Sequence, residues 1–242
     1  MEGYVSSIES LGLVDGPGIR NVVFLGGCKL RCKYCQNPEM WHGAKPNITA
    51  EELANKIIRN KPYFGNNGGV TFSGGEPLLQ SKFLIEVCKI LKKENIHIAL
   101  DTAGVGNGDY KELLSYVDLV LLDVKHTNPK GYQDLTGLKI DESLNFIKAL
   151  NERSCPVWIR QVIVPGLHDN DEYLDSLLEF LKQIKNIERI DFLPYHKLGD
   201  EKYVKLGITN PFKEKLAMDK EKCTKLYNEF MTKYNKKNEP RD

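Results

Sequence analysis

The chain has 242 residues, and its 34 Lys and Arg against 33 Asp and Glu give a formal net charge of +1. This length can bury a sizeable core in one large domain or two small ones. A charge so close to zero creates no global field for nucleic acid or an anionic membrane, so neither is predicted as a partner. The sequence has no signal peptide and no apolar run of membrane-spanning length, which predicts a cytoplasmic protein.

The predicted elements alternate between strands and helices. Residues 1–20 are rich in turn signals and predict no strand. Apolar stretches then predict six strands, at 21–25, 70–72, 97–101, 119–124, 157–164 and 189–193. Helical periodicity and a capping box at Thr49 and Glu52 predict helices at 49–59, 80–93, 141–151, 171–184 and 220–234. Residues 109–112 predict the start of a further, short helix.

Strand–helix alternation favours a parallel sheet with right-handed crossovers and helices on the outside. Six such units are too few for a closed eight-stranded barrel. No linker, repeat or low-complexity stretch interrupts residues 1–242. The sequence therefore predicts an α/β fold with a single domain, shaped as a partial, open parallel (β/α)6 barrel.

Three cysteines follow the first predicted strand with the spacing Cys28-x3-Cys32-x2-Cys35. We call residues 27–36 the cluster loop. A cubane [4Fe–4S] cluster needs a ligand on each of four irons, so three cysteines would leave one iron open for a small molecule. The alternative is a structural zinc site of three cysteines closed by His42. The other cysteines (Cys88, Cys155 and Cys223) lie at apolar positions and are predicted to be buried thiols of a protein in a reducing compartment.

Reactive side chains lie at or near the ends of five of the predicted strands and within the fifth strand. In chain order these are the cluster loop, Gly74 to Glu76, Asp101 with Thr102, Asp123 with Lys125, Arg160 and His196. In parallel α/β barrels the active site forms at the carboxyl ends of the strands, so we expect these groups to share one rim. Each has a plainer alternative: a glycine turn, a solvated or capping carboxylate, or a structural ion pair.

The cysteine spacing, with Tyr34 just before the last cysteine, resembles the signature of the radical S-adenosylmethionine (SAM) enzymes. The resemblance covers nearly the whole chain and is narrower than that superfamily, because it extends to the activases of glycyl-radical enzymes. The matching segments are 15–20, 27–35, 73–76, 100–104, 121–125, 158–160 and 193–196. Many activases carry a ferredoxin-like insert with extra cysteines. Here no cysteine lies between Cys35 and Cys88, as in the branch that acts on pyruvate formate-lyase.

The resemblance implies an oxidoreductase that cleaves SAM reductively at a [4Fe–4S] cluster and abstracts a hydrogen atom from a glycine of its partner. The implied partner is a glycyl-radical enzyme, pyruvate formate-lyase, and the implied reductant is a flavodoxin or ferredoxin. A monomer is expected. Three alternatives stay open: an activase of another glycyl-radical enzyme, a radical SAM enzyme with a small-molecule substrate, and a non-catalytic zinc or electron-transfer protein.

The resemblance also implies a role for each matching residue. Cys28, Cys32 and Cys35 would hold the cluster. SAM would contact Tyr34, Gly74, Gly75, Glu76, Lys125, Arg160 and His196. A monovalent cation would lie between Asp101, Thr102 and Asp123, and the substrate peptide would contact Asp15, Gly16 and Arg20. Trp41 is predicted to be a packing residue, and residues 198–218 show too weak a periodicity to predict a role.

Overall fold

The computed structural model describes residues 1–108 and 110–238. Most of its strands pair into one sheet in the order β2-β3-β5-β6-β7-β8-β9, and β1 pairs with β4 outside it. The strands are β1 (Glu2–Gly3), β2 (Val5–Gly12), β3 (Arg20–Leu25), β4 (Ile48–Thr49), β5 (Gly69–Gly74), β6 (His97–Thr102), β7 (Leu119–Asp123), β8 (Val157–Ile163) and β9 (Ile187–Pro194).

Helices connect these strands. They are α1 (Ala50–Ile58), α2 (Ser81–Lys93), α3 (Tyr110–Leu114), α4 (Pro129–Thr136), α5 (Asp141–Arg153), α6 (Asp171–Leu181), α7 (Asp200–Leu206) and α8 (Lys220–Asn238). Short 3-10 turns lie at Pro38–Trp41, Lys61–Tyr63 and Pro77–Gln80. Among the described residues, no helix combines the length and apolarity that crossing a bilayer requires.

The six predicted strands are β3 and β5 to β9, and each pairs in parallel with its neighbours in chain order. The sheet has β2 and β9 at its two edges. The prediction of a partial, open parallel barrel is confirmed. The turn prediction for residues 1–20 was wrong over Val5–Gly12, which pairs antiparallel to β3. This edge strand is largely exposed, so it lacks the apolar pattern that marks the buried strands.

The two faces of the sheet contribute to two separate apolar clusters. Alternate residues of a strand point to opposite faces. One face carries Ile98, Leu100 and Val120 into the main core. The other forms a separate apolar floor of Ala99, Leu119 and Leu121, against which Trp158 packs.

Polar groups replace the apolar floor two residues further along the same strands, on the same face of the sheet. Asp101 follows Ala99, Asp123 follows Leu121 and Arg160 follows Trp158. In the β7–β8 register, Asp123 lies beside Arg160. The charged groups at the carboxyl ends of the strands therefore stand on an apolar floor.

Two helices escaped prediction because they are only eight and seven residues long. For α4 the sequence does contain end signals: the Asn128 side chain caps it, Pro129 begins it and Gly137 ends it in the left-handed conformation. The predicted capping box at Thr49 and Glu52 is confirmed in both directions.

Candidate active site

A cleft of about 540 Å³ opens at the carboxyl ends of the strands. It gathers most of the residues that the sequence singled out. These are Asp15, Cys28, Cys32, Tyr34, Cys35, Gly74, Gly75, Asp101, Thr102, Asp123, Lys125, Arg160 and His196. Glu76, Gly16 and Arg20 do not line it, and neither does His42, the proposed fourth ligand of a zinc site, which is exposed.

The cluster loop is held from two sides by backbone hydrogen bonds. The N–H groups of Arg31 and Lys33 donate to carbonyl oxygens at the end of α4, at 2.7 and 2.9 Å. The N–H groups of Gly27 and Cys28 donate to carbonyl oxygens of the 38–41 turn, at 3.0 and 3.3 Å. The loop therefore needs no regular secondary structure to hold its three cysteines against one wall of the cleft.

The three thiols are poor thiolates in the unligated protein. Burial raises the pKa of Cys28 to about 12, and the nearby Glu76 carboxyl adds to this effect. Burial raises the pKa of Cys32 to about 11, although Lys125 opposes the shift, and burial also raises the pKa of Cys35. A metal that binds here must displace protons and supply the compensating charge.

Arg160, in β8, connects the loop at residues 14–15 to Asp101 of β6 inside the cleft. Its guanidinium lies 3.1 Å from an Asp15 oxygen and 3.4 Å from an Asp101 oxygen. It also donates to the Val14 carbonyl at 2.9 Å. The hydroxyl of Ser73 donates to Asp101 at 2.7 Å. Burial raises the pKa of Asp101 to about 6, and the attraction of Arg160 only partly offsets this.

Lys125 forms a second charged pair in the cleft, with Asp123 at the end of β7. Its ammonium lies 2.7 Å from Asp123 and 5.5 Å from the centre of the Tyr34 ring. Burial alone would lower the pKa of Lys125, but Asp123, Tyr34 and Cys32 together outweigh burial and raise that pKa, so the ammonium stays charged. In the unligated protein Lys125 and Asp123 therefore form a structural ion pair, which was the alternative to a cofactor contact.

Glu76 lies behind the cleft and acts as a buried acceptor. Its carboxylate accepts from the Thr102 hydroxyl at 2.5 Å, from the Ala103 N–H at 3.0 Å and from the Leu78 N–H at 3.2 Å. The Thr102 oxygen in turn accepts from the Gly104 N–H at 2.9 Å. Glu76 therefore fixes the loop after β6 and touches neither the cleft nor solvent.

The oxygens of the predicted cation site have other partners. Asp101 pairs with Arg160 and Ser73, Asp123 pairs with Lys125, and Thr102 bonds to Glu76. Across residues 1–108 and 110–238, no three His, Cys, Asp or Glu side chains surround one point at the spacing of a single metal ion. The monovalent cation stays a prediction.

Titration of Glu76 is expected to weaken the iron-free protein as the pH rises. Burial raises the pKa of Glu76 to about 7, from a usual 4.5, despite its three hydrogen bonds. The folded state therefore binds the proton more tightly, and this stabilisation is full below pH 4.5 and lost as the pH passes 7. At 1.36 kcal/mol per pKa unit, the loss is roughly 3 kcal/mol.

Urea unfolding of wild-type protein and Glu76→Gln between pH 4.5 and 7.5 measures this effect. The variant carries no charge at this position, so the difference between the two unfolding free energies isolates Glu76 from Asp101, which titrates in the same direction. We expect the wild type to lose stability relative to the variant across this range. A difference that does not change with pH would contradict the prediction.

Arg20 lies at the opposite end of the sheet from the cluster loop. It begins β3, its side chain is fully buried, and a guanidinium nitrogen lies 3.1 Å from His97 Nδ1. A Cβ on Gly16 would stand 2.1 Å from the guanidinium, so Arg20 packs directly beneath this glycine. In this environment Arg20 supports the 15–18 turn from below. The contacts of Asp15, Gly16 and Arg20 with a substrate peptide stay a prediction.

Ser73 lies in the matching segment 73–76, but the sequence assigned it no individual role. Its hydroxyl meets Asp101 only because β5 and β6 are parallel neighbours that end together. Its position directly before Gly74 and Gly75 is the sequence signal that could have identified it as a site residue. The partner itself depends on strand register, which a single sequence does not display.

Comparison with known proteins identifies the family. The family model of the radical SAM superfamily matches residues 22–181. A pyruvate formate-lyase-activating enzyme of Clostridium pasteurianum is 52% identical over 227 residues, which cover 93% of this chain and 95% of that protein. The chain belongs to the pyruvate formate-lyase-activating enzymes of the radical SAM superfamily. It is therefore an oxidoreductase, and the cofactors of its superfamily are a [4Fe–4S] cluster and SAM.

One further comparison agrees with this membership, and another agrees with the fold. A pyruvate formate-lyase-activating enzyme of Staphylococcus aureus (strain USA300) is 43% identical over 237 residues, covering 94% of each chain. A crystal structure of Streptococcus suis SuiB bound to its precursor peptide SuiA superposes with a TM-score of 0.68 at 20% identity. It covers 91% of this chain and 46% of SuiB. At that identity the superposition supports the fold alone.

The donor set of the cleft fits the cluster of this family. All six cysteines are free thiols, and three of them face the cleft. The thiolates of a cubane bind three different irons, so they need not converge on one point as the ligands of a single ion do. The cleft wall beside them is built from Gly74 and Gly75, which have no side chains to fill the space.

Proposed function

We propose that the chain activates pyruvate formate-lyase by generating a glycyl radical on it, and that residues 1–242 form one catalytic domain. One observation carries this proposal. Three free cysteines and two ion pairs line the same cleft, at the carboxyl ends of a parallel sheet. When bound, the [4Fe–4S] cluster supplies the electron that cleaves SAM. Cys28, Cys32 and Cys35 would hold it.

The charge of the cleft complements SAM. Asp15, Asp101 and Asp123 line it together with Lys125 and Arg160, so its formal charge is −1. SAM carries a sulfonium, an ammonium and a carboxylate, and its net charge is +1. We propose that the ammonium approaches the backbone of Gly74 and the Asp101 side, and that Lys125 or Arg160 binds the carboxylate.

The other predicted contacts follow from their positions at the cleft. Tyr34, Gly75 and His196 line it and would shape the SAM pocket, whereas Glu76 would act only through Thr102 and Ala103. Bound ligand would compete with the existing ion pairs of the unligated protein. A monovalent cation that binds here must likewise compete with Arg160 for Asp101 and with Lys125 for Asp123.

The rim of the cleft supports a macromolecular substrate. Val14, whose carbonyl binds Arg160, is 79% exposed, and Leu198, just beyond His196, is 82% exposed. Leu193 lines the cleft and is also exposed. We propose that the glycine-bearing segment of the partner covers these apolar side chains and excludes water from the reacting groups.

Three finer points belong to the same proposal. A flavodoxin or ferredoxin would deliver the electron, because the chain brings only one set of cluster cysteines. The protein would act in the cytoplasm, which suits six free thiols. It would act as a monomer that leaves the cleft open to its partner.

Anaerobic electron paramagnetic resonance tests the proposal. The reconstituted, reduced protein is expected to show a cluster signal that changes when SAM is added. Adding pyruvate formate-lyase should then produce a glycyl radical, with a partner whose target glycine is replaced by alanine as the control. A cluster signal indifferent to SAM, or zinc in place of iron, would refute the proposal. SAM cleavage without any partner protein would favour a small-molecule substrate.

A further inference from the structure

The barrel is open between β3 and β9. In the order of the sheet four strands lie between them, and β9 is an edge strand. At the carboxyl end of the sheet, residues 35–39 nevertheless contact residues 196–203. We call these contacts the bridge. It joins the cluster loop to the segment after β9, although β3 and β9 are not paired with each other.

Gln36 lies at the centre of the bridge, and its amide group both donates and accepts. The side-chain nitrogen donates to the His196 carbonyl at 2.8 Å and to the Tyr34 carbonyl at 3.3 Å. The side-chain oxygen accepts from the Gly199 N–H, also at 2.8 Å. These bonds require a donor and an acceptor on one short planar group, which an amide provides and a carboxylate or thioether does not.

The two backbones also come close together in the bridge. A Cβ on Gly199 would stand 2.9 Å from the Cα of Gln36 and 3.0 Å from its carbonyl oxygen. The φ of Gly199 is −82°, a value that any residue adopts. The missing side chain of Gly199 therefore serves the close approach to Gln36 and not the conformation of the turn.

α7 holds the rest of the bridge. The Tyr203 hydroxyl donates to the Cys35 carbonyl at 3.1 Å, and the Tyr203 side chain is buried. The Lys202 ammonium donates to the side chains of Asn37 and Glu39, each at 2.5 Å. These contacts fix α7 against the last cysteine of the cluster loop.

The bridge connects two parts of the cleft wall. Cys35 and Gln36 line the cleft from the cluster loop, and Tyr195 and His196 line it at the end of β9. In a closed barrel, hydrogen bonds between neighbouring strands fix the distance across the interior. Since β3 and β9 do not pair, the bridge fixes the distance between these two parts of the wall.

We propose that Gln36 is a positioning residue for SAM, which holds the cluster loop and the end of β9 at the separation that SAM requires. The inference rests on the proposed function, because it needs the cleft to bind SAM between the cluster cysteines and His196. Without the amide, the residues that would contact SAM are still present, but their separation is no longer fixed. Loss of the amide therefore weakens SAM binding more than it weakens the fold.

Gln36→Met tests this, because methionine has a side chain of similar length and lacks the amide. Gln133→Met is the matched control. Gln133 is an exposed glutamine of α4, and its side chain forms no hydrogen bond within the described part of the chain.

Amide hydrogen exchange of the iron-free, full-length proteins tests the bridge without any cofactor. We expect the Gly199 N–H to exchange about threefold to tenfold faster in Gln36→Met than in the wild type and Gln133→Met, because it loses one hydrogen bond. The buried amides of β7 should exchange at equal rates in all three proteins. An unchanged rate at Gly199 would show that the bridge does not hold in solution, and this result would overturn the inference.

Anaerobic equilibrium dialysis against SAM tests the positioning role, with reconstituted proteins that are left unreduced so that SAM is not cleaved. Per bound cluster, we expect Gln36→Met to bind SAM with a Kd about tenfold higher than the wild type and Gln133→Met. Residues behind the ligands of a metal site typically contribute about 10–100-fold. A lower melting temperature with an unchanged Kd would show a merely structural residue and would also overturn the inference.

Gly199→Ala decides the question if Gln36→Met does not assemble a cluster. The added methyl group pushes the two backbones apart and leaves the Gln36 amide in the protein. Weaker SAM binding by this variant supports the inference, and wild-type binding refutes it. A wild-type protein that binds no SAM would instead refute the proposed function, whereas equal binding by the wild type and Gln36→Met refutes the inference alone.

Discussion

Replacing Cys32 with alanine is expected to abolish glycyl-radical formation. Cys32 is buried at the centre of the cluster loop, and its removal leaves two cysteines for a cluster that needs three. Changes in the outer shell of metal sites already cost about 10–100-fold, so loss of a ligand should leave less than about 1% of the wild-type yield. Iron per chain after reconstitution and the radical signal on pyruvate formate-lyase measure the effect.

Cys223→Ala is the matched control for this substitution. Cys223 is a buried free thiol in α8, outside the cleft, so its loss removes the same atom from a different environment. The control should keep full iron content and radical yield. If Cys32→Ala retained a SAM-responsive cluster, the assignment of Cys28, Cys32 and Cys35 as the cluster ligands would be wrong.

The sequence predicted the sheet and the cleft because both depend on local patterns. Buried parallel strands are continuous apolar runs, such as residues 119–122. Each run can be recognised as a strand without knowing which strands pair with it. The carboxyl ends of such strands share one rim in every barrel of this kind. The lining of the cleft by Cys28, Asp101 and Lys125 follows from these two facts together.

The direction of individual side chains could not be predicted in the same way. Glu76 follows a strand like the other candidates, but it turns away from the cleft to two donors at the end of β6, Thr102 and Ala103, and to the N–H of Leu78. Arg20 begins its strand, so a full strand length separates it from the cluster loop. Both outcomes depend on the register and packing between strands, which a single sequence does not reveal.

The contribution of α7 was missed for a related reason. The seven-residue helix is too short to show periodicity, and its exposed Val204 weakens the amphipathic pattern further. The contacts of Gly199 and Tyr203 with Gln36 and Cys35 join residues that are 163 and 168 positions apart in the sequence. Long-range contacts of this kind determine the surroundings of the cluster ligands even where the ligands themselves are evident.

Gly75→Ala is expected to displace the cluster loop and cause a large loss of activity. A Cβ on Gly75 would stand 2.3 Å from the carbonyl oxygen of Gly27 and 3.0 Å from that of Met40. The same Gly27 oxygen accepts the Glu76 N–H at 2.9 Å. Backbone atoms must move to admit the methyl group, and Gly27 directly precedes Cys28.

Overpacking of this kind costs about 1–3 kcal/mol of unfolding free energy. A misplacement of about 1 Å at reacting groups can cost on the order of 100-fold in rate. We therefore expect Gly75→Ala to lower the melting temperature of the iron-free protein and to reduce the yield of glycyl radical by about this factor. The cause is contact between two protein loops, which acts before any contact with SAM.

Gly43→Ala provides the control, because a Cβ there would meet nothing within 4 Å and Gly43 does not need a positive φ. It should match the wild type in melting temperature, iron content and radical yield. A Gly75→Ala protein with normal stability but weakened SAM binding would show that the glycine serves the cofactor rather than the loop contact. Normal values of every quantity would show that the two loops can separate without consequence for the cluster.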